Sequence, residues 1–171
     1  MDFFKKLERR LEPTKGGTYK GNLDLRGTPI KDLGNLEYVG GYSYLSGVPI
    51  ESLGNLKHVG DSLDLENTSI KDLGNLEYVG GWLNLRGTLI KDLGNLKHVG
   101  DNLYLANTPI ESLGNLEYVR GYLSLRNTRI KDLGKLKYVE RYIYINENTP
   151  LFHNKKLIKE YKTKGFDFYI I

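Results

Sequence analysis

The chain has 171 residues, of which 39% are hydrophobic and 27% charged; its net charge is +4 and it contains no cysteine. This composition is typical of one globular domain with a sizeable core and excludes a scaffold held by disulfides, and the near-neutral charge of residues 21–140 argues against nucleic acid as a partner. No apolar run approaches a membrane span and the first residues lack a signal-peptide core, so we expect a cytoplasmic protein without membrane partners.

The first predicted element is an amphipathic helix over residues 2–12. Phe3, Leu7 and Leu11 share one face of it, basic residues occupy the other, and Pro13 ends it. Contact with a membrane or an acidic partner is an alternative use for such a helix. We favour a cap on the repeats that follow, and therefore define residues 1–20 as an N-terminal capping helix and linker.

An internal repeat dominates the chain. From Gly21 to Glu140 the sequence consists of six copies of twenty residues without insertion or deletion, and a seventh copy begins at Arg141 before it diverges. A fixed period of this length is the signature of a solenoid, in which each copy forms one coil and stacks on the next. We therefore predict a repeat solenoid over residues 21–145.

Each copy has the same pattern of apolar and turn-forming residues. The third and fifth positions are apolar in most copies, as in Leu83 and Leu85, which predicts a half-buried strand. Position seven is Gly or Asn, the residues that adopt a left-handed turn most readily. Position eight is usually Thr, whose hydroxyl we expect to bind the backbone of the neighbouring coil. The remaining stretch is interrupted by Gly and predicts turns, a short 3₁₀ segment or a second short strand.

Charges at position seventeen support stacking of the coils in register. Their sign alternates strictly along the chain in Glu37, Lys57, Glu77, Lys97, Glu117 and Lys137. Residues twenty apart would lie about 5 Å apart on adjacent strands, where opposite charges attract and like charges repel. The alternation therefore indicates that each coil lies directly on the next.

The end of the chain predicts a second cap, over residues 146–171. Residues 154–164 have the pattern of a helix, with Leu157, Ile158 and Tyr161 on one face. Gly165 then precedes a strand-like segment over residues 166–171.

The repeat L-x-L-x-x-T-x-I-x-x-L-x-x-L-x-x-V-x-G resembles the leucine-rich repeat, and the phrase LGNLEYVGGYLSL is similar to its receptor L-domain variant. The short, cysteine-free form is most similar to bacterial and bacteriophage repeat proteins. The resemblance covers residues 21–145 and implies a β-solenoid: a right-handed leucine-rich-repeat-like coil with a parallel sheet of about seven strands and capping helices at both ends. It implies a binding role, without naming a partner.

Catalytic chemistry finds little support in the sequence. His58 and His98 lie two coils apart, about 10 Å by strand spacing, which is too far for one metal ion, so we expect neither metal nor cofactor. Asp64 and Glu66 lie on the same side of one strand, roughly 7 Å apart, as in some glycosidases. Binding or cleavage of carbohydrate by this pair is an alternative to the non-enzymatic function that we favour.

The outward positions of the predicted sheet, second, fourth and sixth in each coil, carry the candidate site. They vary between copies, whereas the rest of the repeat is nearly fixed, and they are rich in the aromatic and arginine residues that dominate protein interfaces. The candidate binding residues are Tyr42, Tyr44, Trp82, Arg86, Tyr104, Tyr122, Arg126 and Tyr144. We expect a protein partner, as for a bacterial or phage effector or inhibitor; a homo-oligomeric scaffold using the same face is a further alternative.

Overall fold

The computed structural model describes residues 17–171 and shows a parallel β-solenoid of about six turns. The predicted N-terminal helix lies outside the described residues. Thr18–Tyr19, which the sequence analysis places in the linker, forms the first strand (β1) and pairs with residues 38–39 of the first repeat.

Each coil contributes two short strands. The first set forms around the third and fourth positions and consists of β2 (Leu23–Asp24), β4 (Ser43–Tyr44), β6 (Leu63–Asp64), β8 (Leu83–Asn84), β10 (Leu103–Tyr104), β12 (Leu123–Ser124) and β14 (Tyr142–Ile145). The second set follows at positions eighteen and nineteen and consists of β3 (Tyr38–Val39), β5 (His58–Val59), β7 (Tyr78–Val79), β9 (His98–Val99), β11 (Tyr118–Val119) and β13 (Tyr138–Val139).

The two sets of strands form two parallel sheets, whereas the sequence analysis predicted one sheet and left a second short strand in each coil as one of three alternatives. The first set, together with a C-terminal strand β15 (Asp167–Ile170), forms an eight-stranded sheet, and the second set with β1 forms a seven-stranded sheet. Within the repeats, residues twenty apart are direct partners, for example Leu83 and Leu103. The second sheet arises because positions eighteen and nineteen alternate an outward ring with a buried Val, which is the pattern of a strand.

The core runs through the middle of the solenoid as stacked rows of aliphatic side chains. Leu83 and Leu85 are completely buried, as are Ile90 and Leu96 from the return stretch of the same coil. These positions were predicted to face inward, and their burial confirms that prediction. One row is interrupted at Ser43, which lies between Leu23 and Leu63.

The turns after the eight-stranded sheet have the predicted left-handed conformation. Asn67, Asn107 and Asn127 have φ values of 56°, 60° and 55°, and Gly27 has a φ of 70°. Asn and Gly adopt this conformation at the lowest cost, so the residue choice at position seven follows from the backbone.

The threonine hydroxyls do not bind the neighbouring coil as predicted. In Thr28, Thr68, Thr88, Thr108 and Thr128 the hydroxyl donates to the carbonyl three residues earlier in its own coil, at 2.6–2.8 Å. Threonine hydroxyls readily bind backbone groups three or four residues away in their own chain segment, and the tight turn after the strand brings that carbonyl within reach. The threonines therefore close the turn within each of these five coils; the coil of residues 41–60 has Val48 at this position.

The alternating charges at position seventeen form three separate ion pairs. Lys57 contacts Glu37 at 2.8 Å and Lys97 contacts Glu77 at 2.8 Å, while Lys137 pairs with Glu117. These exposed pairs confirm the stacking register, although pairs of this kind contribute little to stability.

The C-terminal residues pack against the last coils. Two helices, α1 (Pro150–His153) and α2 (Lys155–Thr163), place Leu151 and Ile158 in the same core cluster as the repeats. The Tyr161 hydroxyl accepts a hydrogen bond from the backbone of Leu133 at 2.9 Å. The predicted helix and strand are therefore present. Within the described residues, no helix has the length and apolar character needed to cross a membrane.

Candidate binding face

The outward face is the solvent-facing side of the eight-stranded sheet, made by the second, fourth and sixth positions of each coil. The structure places all eight predicted site residues on this face, and each of them is half-buried. Side chains two residues apart or on adjacent strands lie within reach of each other, so the rings and guanidinium groups pack together. They form two clusters with Trp82 between them.

The first cluster lies near the beginning of the solenoid. The rings of Tyr42 and Tyr44 stack at 5.7 Å, and the guanidinium of Arg26 lies 4.8 Å from the Tyr44 ring centroid. Arg26 also pairs with Asp24 at 2.6 Å, so its charge is compensated. The nearby Asp61 carboxylate raises the pKa of Tyr42. This cluster is aromatic, with its basic group neutralised.

Trp82 lies on the middle of the face, at the start of β8. Its backbone amide donates to Ser62 Oγ at 3.1 Å, which fixes the strand beneath it. Among the described residues no other aromatic ring stacks on the indole. Trp82 is therefore an isolated, half-buried ring that a binding partner could cover.

The second cluster is larger and lies toward the end of the solenoid. The guanidinium of Arg86 lies 4.7 Å from the Tyr104 centroid, and the rings of Tyr122 and Tyr144 are 5.5 Å apart. Burial raises the pKa of Tyr144. A cleft of about 320 Å³ opens within this cluster and is lined by Arg86, Tyr104, Tyr122, Ser124, Arg126 and Tyr144, with Ile171.

Sequence reasoning missed part of this second cluster. Tyr169 of β15 lies 5.4 Å from the Tyr144 ring, and Ile171 lines the cleft. The strand-like pattern of residues 166–171 predicts β15 but gives no sign that it pairs with β14. Arg141, at the first position of its coil, also reaches the face, where it donates to the Tyr122 hydroxyl at 3.2 Å.

The two carboxylates of the carbohydrate hypothesis share one amide. Asn84 Nδ2 donates to Asp64 Oδ1 at 3.1 Å and to Glu66 Oε2 at 3.0 Å. An inverting glycosidase needs room for a water molecule between its carboxylates. Here the Asn84 amide occupies the space between them, so the geometry favours a structural role for the pair.

His58 and His98 belong to an aromatic ladder on the seven-stranded sheet. His58 stacks on Tyr78 at 4.4 Å, and Tyr78 stacks on His98 at 4.9 Å. Partial burial lowers the pKa of both histidines, and Arg120 adds to the effect at His98. In the described part of the chain, no three His, Cys, Asp or Glu side chains are grouped so that they could hold a metal ion.

Comparison with known proteins adds no relative: no family model, curated protein or solved structure matches the chain. The functional argument therefore depends on the residues and geometry described above.

Proposed function

We propose that this chain is a non-catalytic interaction protein that binds a protein partner on its outward face. The observation that carries the proposal is the concentration of half-buried aromatic and arginine side chains on one continuous sheet, from Tyr42 to Tyr144. Trp, Tyr and Arg are the residues that contribute most binding energy at protein interfaces.

The organisation of the side chains supports this proposal beyond their number. Tyrosine is a good strand former and would occupy an exposed sheet without any binding role. Strand propensity does not explain why Arg86 lies stacked over Tyr104 or why Tyr122 packs against Tyr144. These contacts fix the side chains before a partner arrives, which lowers the entropy lost on binding.

A protein partner fits the charge of the face better than nucleic acid does. Asp64 and Glu66 lie three coils from Arg126, and Arg26 is already paired with Asp24. Acidic and basic groups are therefore both present on the face, without a continuous basic stretch. Nucleic-acid binding requires a continuous basic surface that neutralises several phosphates. The mixed charge of this face instead suits the mixed charge of a protein surface.

The proposed repeat family, biological source and cellular compartment follow from the sequence pattern. We propose that the solenoid is a right-handed leucine-rich-repeat coil of bacterial or bacteriophage type, and that it acts in the cytoplasm as an effector or inhibitor. The absence of cysteine from the whole chain supports a reducing compartment.

A homo-oligomeric scaffold is the second candidate, and one feature favours it. Strand β15 is the edge of the eight-stranded sheet, and its Tyr169 and Ile170 are 53% and 52% exposed. An open, apolar edge strand can pair with a strand of another molecule. Sedimentation of wild type and of Ile170→Lys over a range of concentrations distinguishes this candidate, which requires a dimer that the variant loses.

The proposed function is tested by capture from a host extract with wild type and with Trp82→Ala, followed by an affinity measurement on the purified protein that wild type retains. Tyr118→Ala is the matched control, because Tyr118 is a 40% exposed ring on the other sheet. We expect Trp82→Ala alone to weaken binding. Equal binding by both variants would overturn the proposal.

A further inference from the structure

Three arginines occupy the sixth position of their coils, and each meets a different side chain at position four. Arg26 Nη2 pairs with the Asp24 carboxylate at 2.6 Å. Arg86 Nε donates to Asn84 Oδ1 at 3.0 Å, which is a hydrogen bond to a neutral group. In the coil of Arg126 the fourth position is Ser124. Compensation of the arginine charge therefore decreases from the first coil to the sixth.

Arg86 and Arg126 keep an unneutralised charge. Within residues 17–171, neither has a carboxylate oxygen within ion-pairing distance, whereas Arg26 does. Both line the cleft of the second cluster, and among the described residues no acidic side chain lines it with them. The cleft therefore presents two guanidinium charges that an anion can neutralise.

Two buried polar atoms in this cleft also lack partners among the described residues. Ser124 is only 5% exposed, and its Oγ makes no hydrogen bond. Nε of Arg126 is likewise buried and unpaired. Buried polar groups are nearly always hydrogen-bonded, so these two unpaired groups are the candidates for hydrogen bonds to a ligand in this cleft.

The neighbouring residues give the cleft its shape. Strand β10 lies between β8 and β12, and the sixth position of its coil, two residues beyond the strand, is the small residue Ala106. The short side chain leaves space between the arginines on either side, which lie about 10 Å apart by strand spacing. The rings of Tyr104 and Tyr144 line this space. The polar end of a ligand bound in this space would contact the arginine guanidinium groups and the hydroxyls, and an apolar part of the same ligand would contact the tyrosine rings.

We propose that this cleft binds a carboxylate, which the partner protein supplies as the side chain of an Asp or Glu. The inference rests on the proposed function, since it names what the partner inserts. A guanidinium presents parallel N–H groups that match the two oxygens of a carboxylate, and Ser124 can donate a further hydrogen bond.

A phosphate fits this cleft less well than a carboxylate does. Phosphate sites in proteins commonly use free backbone N–H groups at a helix start or in a loop. Here the backbone N–H of Leu125 donates to Tyr144 O, and that of Asn127 donates to Asn146 Oδ1. The unpaired buried donors described in this cleft, Ser124 Oγ and Arg126 Nε, are both side-chain groups.

The test is an NMR titration of the labelled full chain, observed at the arginine Nε–H resonances. The probes are 3-phenylpropionate, its neutral analogue 3-phenylpropanamide, and inorganic phosphate. We expect 3-phenylpropionate to shift Arg126 Nε–H in a saturable manner, and to bind at least ten-fold more tightly than the amide or phosphate. Equal binding of the acid and the amide, or tighter binding of phosphate, would overturn the carboxylate assignment.

Variants locate the site and separate this inference from the proposed function. Arg126→Gln and Ser124→Ala should each weaken binding of 3-phenylpropionate, by about ten-fold for the arginine, whereas Arg26→Gln should not. An equal loss in Arg26→Gln would show general charge attraction and refute the site. If the acid fails to bind while Trp82→Ala still weakens the partner, only this inference fails. If 3-phenylpropionate binds but Trp82→Ala leaves the affinity for the partner unchanged, the proposed function fails instead.

Discussion

The guanidinium of Arg86 lies 4.7 Å from the ring centroid of Tyr104, one coil further along the solenoid. Arg26 and Tyr44 repeat this contact at 4.8 Å, three coils earlier. The outward face thus carries the same stacked pair in two places, above a core to which neither pair belongs. Because folding depends on the core beneath, substitutions on the face and in the core should have separable effects.

The first prediction concerns the stability of the core. Leu85 is completely buried within the stacked aliphatic rows, so Leu85→Ala removes contacts within its own coil and with both neighbours. We expect a loss of about 2–5 kcal/mol in the free energy of unfolding, measured by chemical denaturation. Glu77→Lys, which places like charges beside Lys57 and Lys97, should cost far less because the pairs are exposed. Equal losses in the two variants would contradict the assignment of inward and outward positions.

The second prediction concerns Ser43, where the aliphatic row of the core is interrupted. Ser43 is 1% exposed, and its hydroxyl has no hydrogen-bond partner among the described residues. Ser43→Ala removes a buried, unpaired polar group, so we expect an increase of about 1 kcal/mol in the free energy of unfolding.

The matched control for Ser43→Ala is Thr88→Val. The Thr88 hydroxyl is buried as well, but it donates to Leu85 O at 2.7 Å. Its removal leaves that carbonyl with only the longer hydrogen bond from the Thr88 backbone N–H, at 3.3 Å, and should destabilise the protein in the same assay. Destabilisation by Ser43→Ala would show that the Ser43 hydroxyl has a favourable role in the core.

The third prediction concerns the pH dependence of stability and the histidines of the aromatic ladder. Burial lowers the folded-state pKa of His58 and His98. As the pH falls below about 6.5, the unfolded chain therefore binds protons before the folded protein does, and stability decreases. Tyrosine stands at the equivalent positions 38, 78 and 118, so the double variant His58→Tyr, His98→Tyr should retain the fold.

Denaturation at a series of pH values between 7 and 5.5 checks this expectation. The wild type should lose stability toward the acidic end of the range, and the double variant should lose less. Carboxylates such as Glu77, whose pKa is lowered by its hydrogen bond with Lys97, titrate below this range and should not contribute. The same slope in both proteins would show that the ladder histidines are not the groups that titrate.

The sequence predicted those features that each copy repeats. Alternation at Leu83 and Leu85 established the inward face, and the Gly and Asn residues at position seven established the turn. The twenty-residue spacing predicted the register of the eight-stranded sheet. These features depend on contacts between residues close in sequence or separated by one fixed period, so a single chain reveals them.

Other features depend on contacts that the period does not encode. Pairing of β15 with β14 brings Tyr169 and Ile171 to the site from beyond the repeats. The bond from Thr88 to its own coil depends on the depth of one turn, which composition does not specify. The unpaired state of Ser124 Oγ depends on every neighbouring side chain at once. The outward face was therefore predictable from sequence, whereas its cleft was not.

The most direct test of a protein-binding outward face is Trp82→Ala, measured by a thermal melt and by affinity for the protein that wild type captures. Trp82 lies at the centre of the face and outside the core cluster, and truncation of such a residue can cost about 2–4 kcal/mol of binding. We predict an unchanged melt and an affinity at least ten-fold weaker, at about 1.4 kcal/mol per decade. Normal folding with normal affinity would contradict the account, and loss of folding would show that Trp82 supports the core.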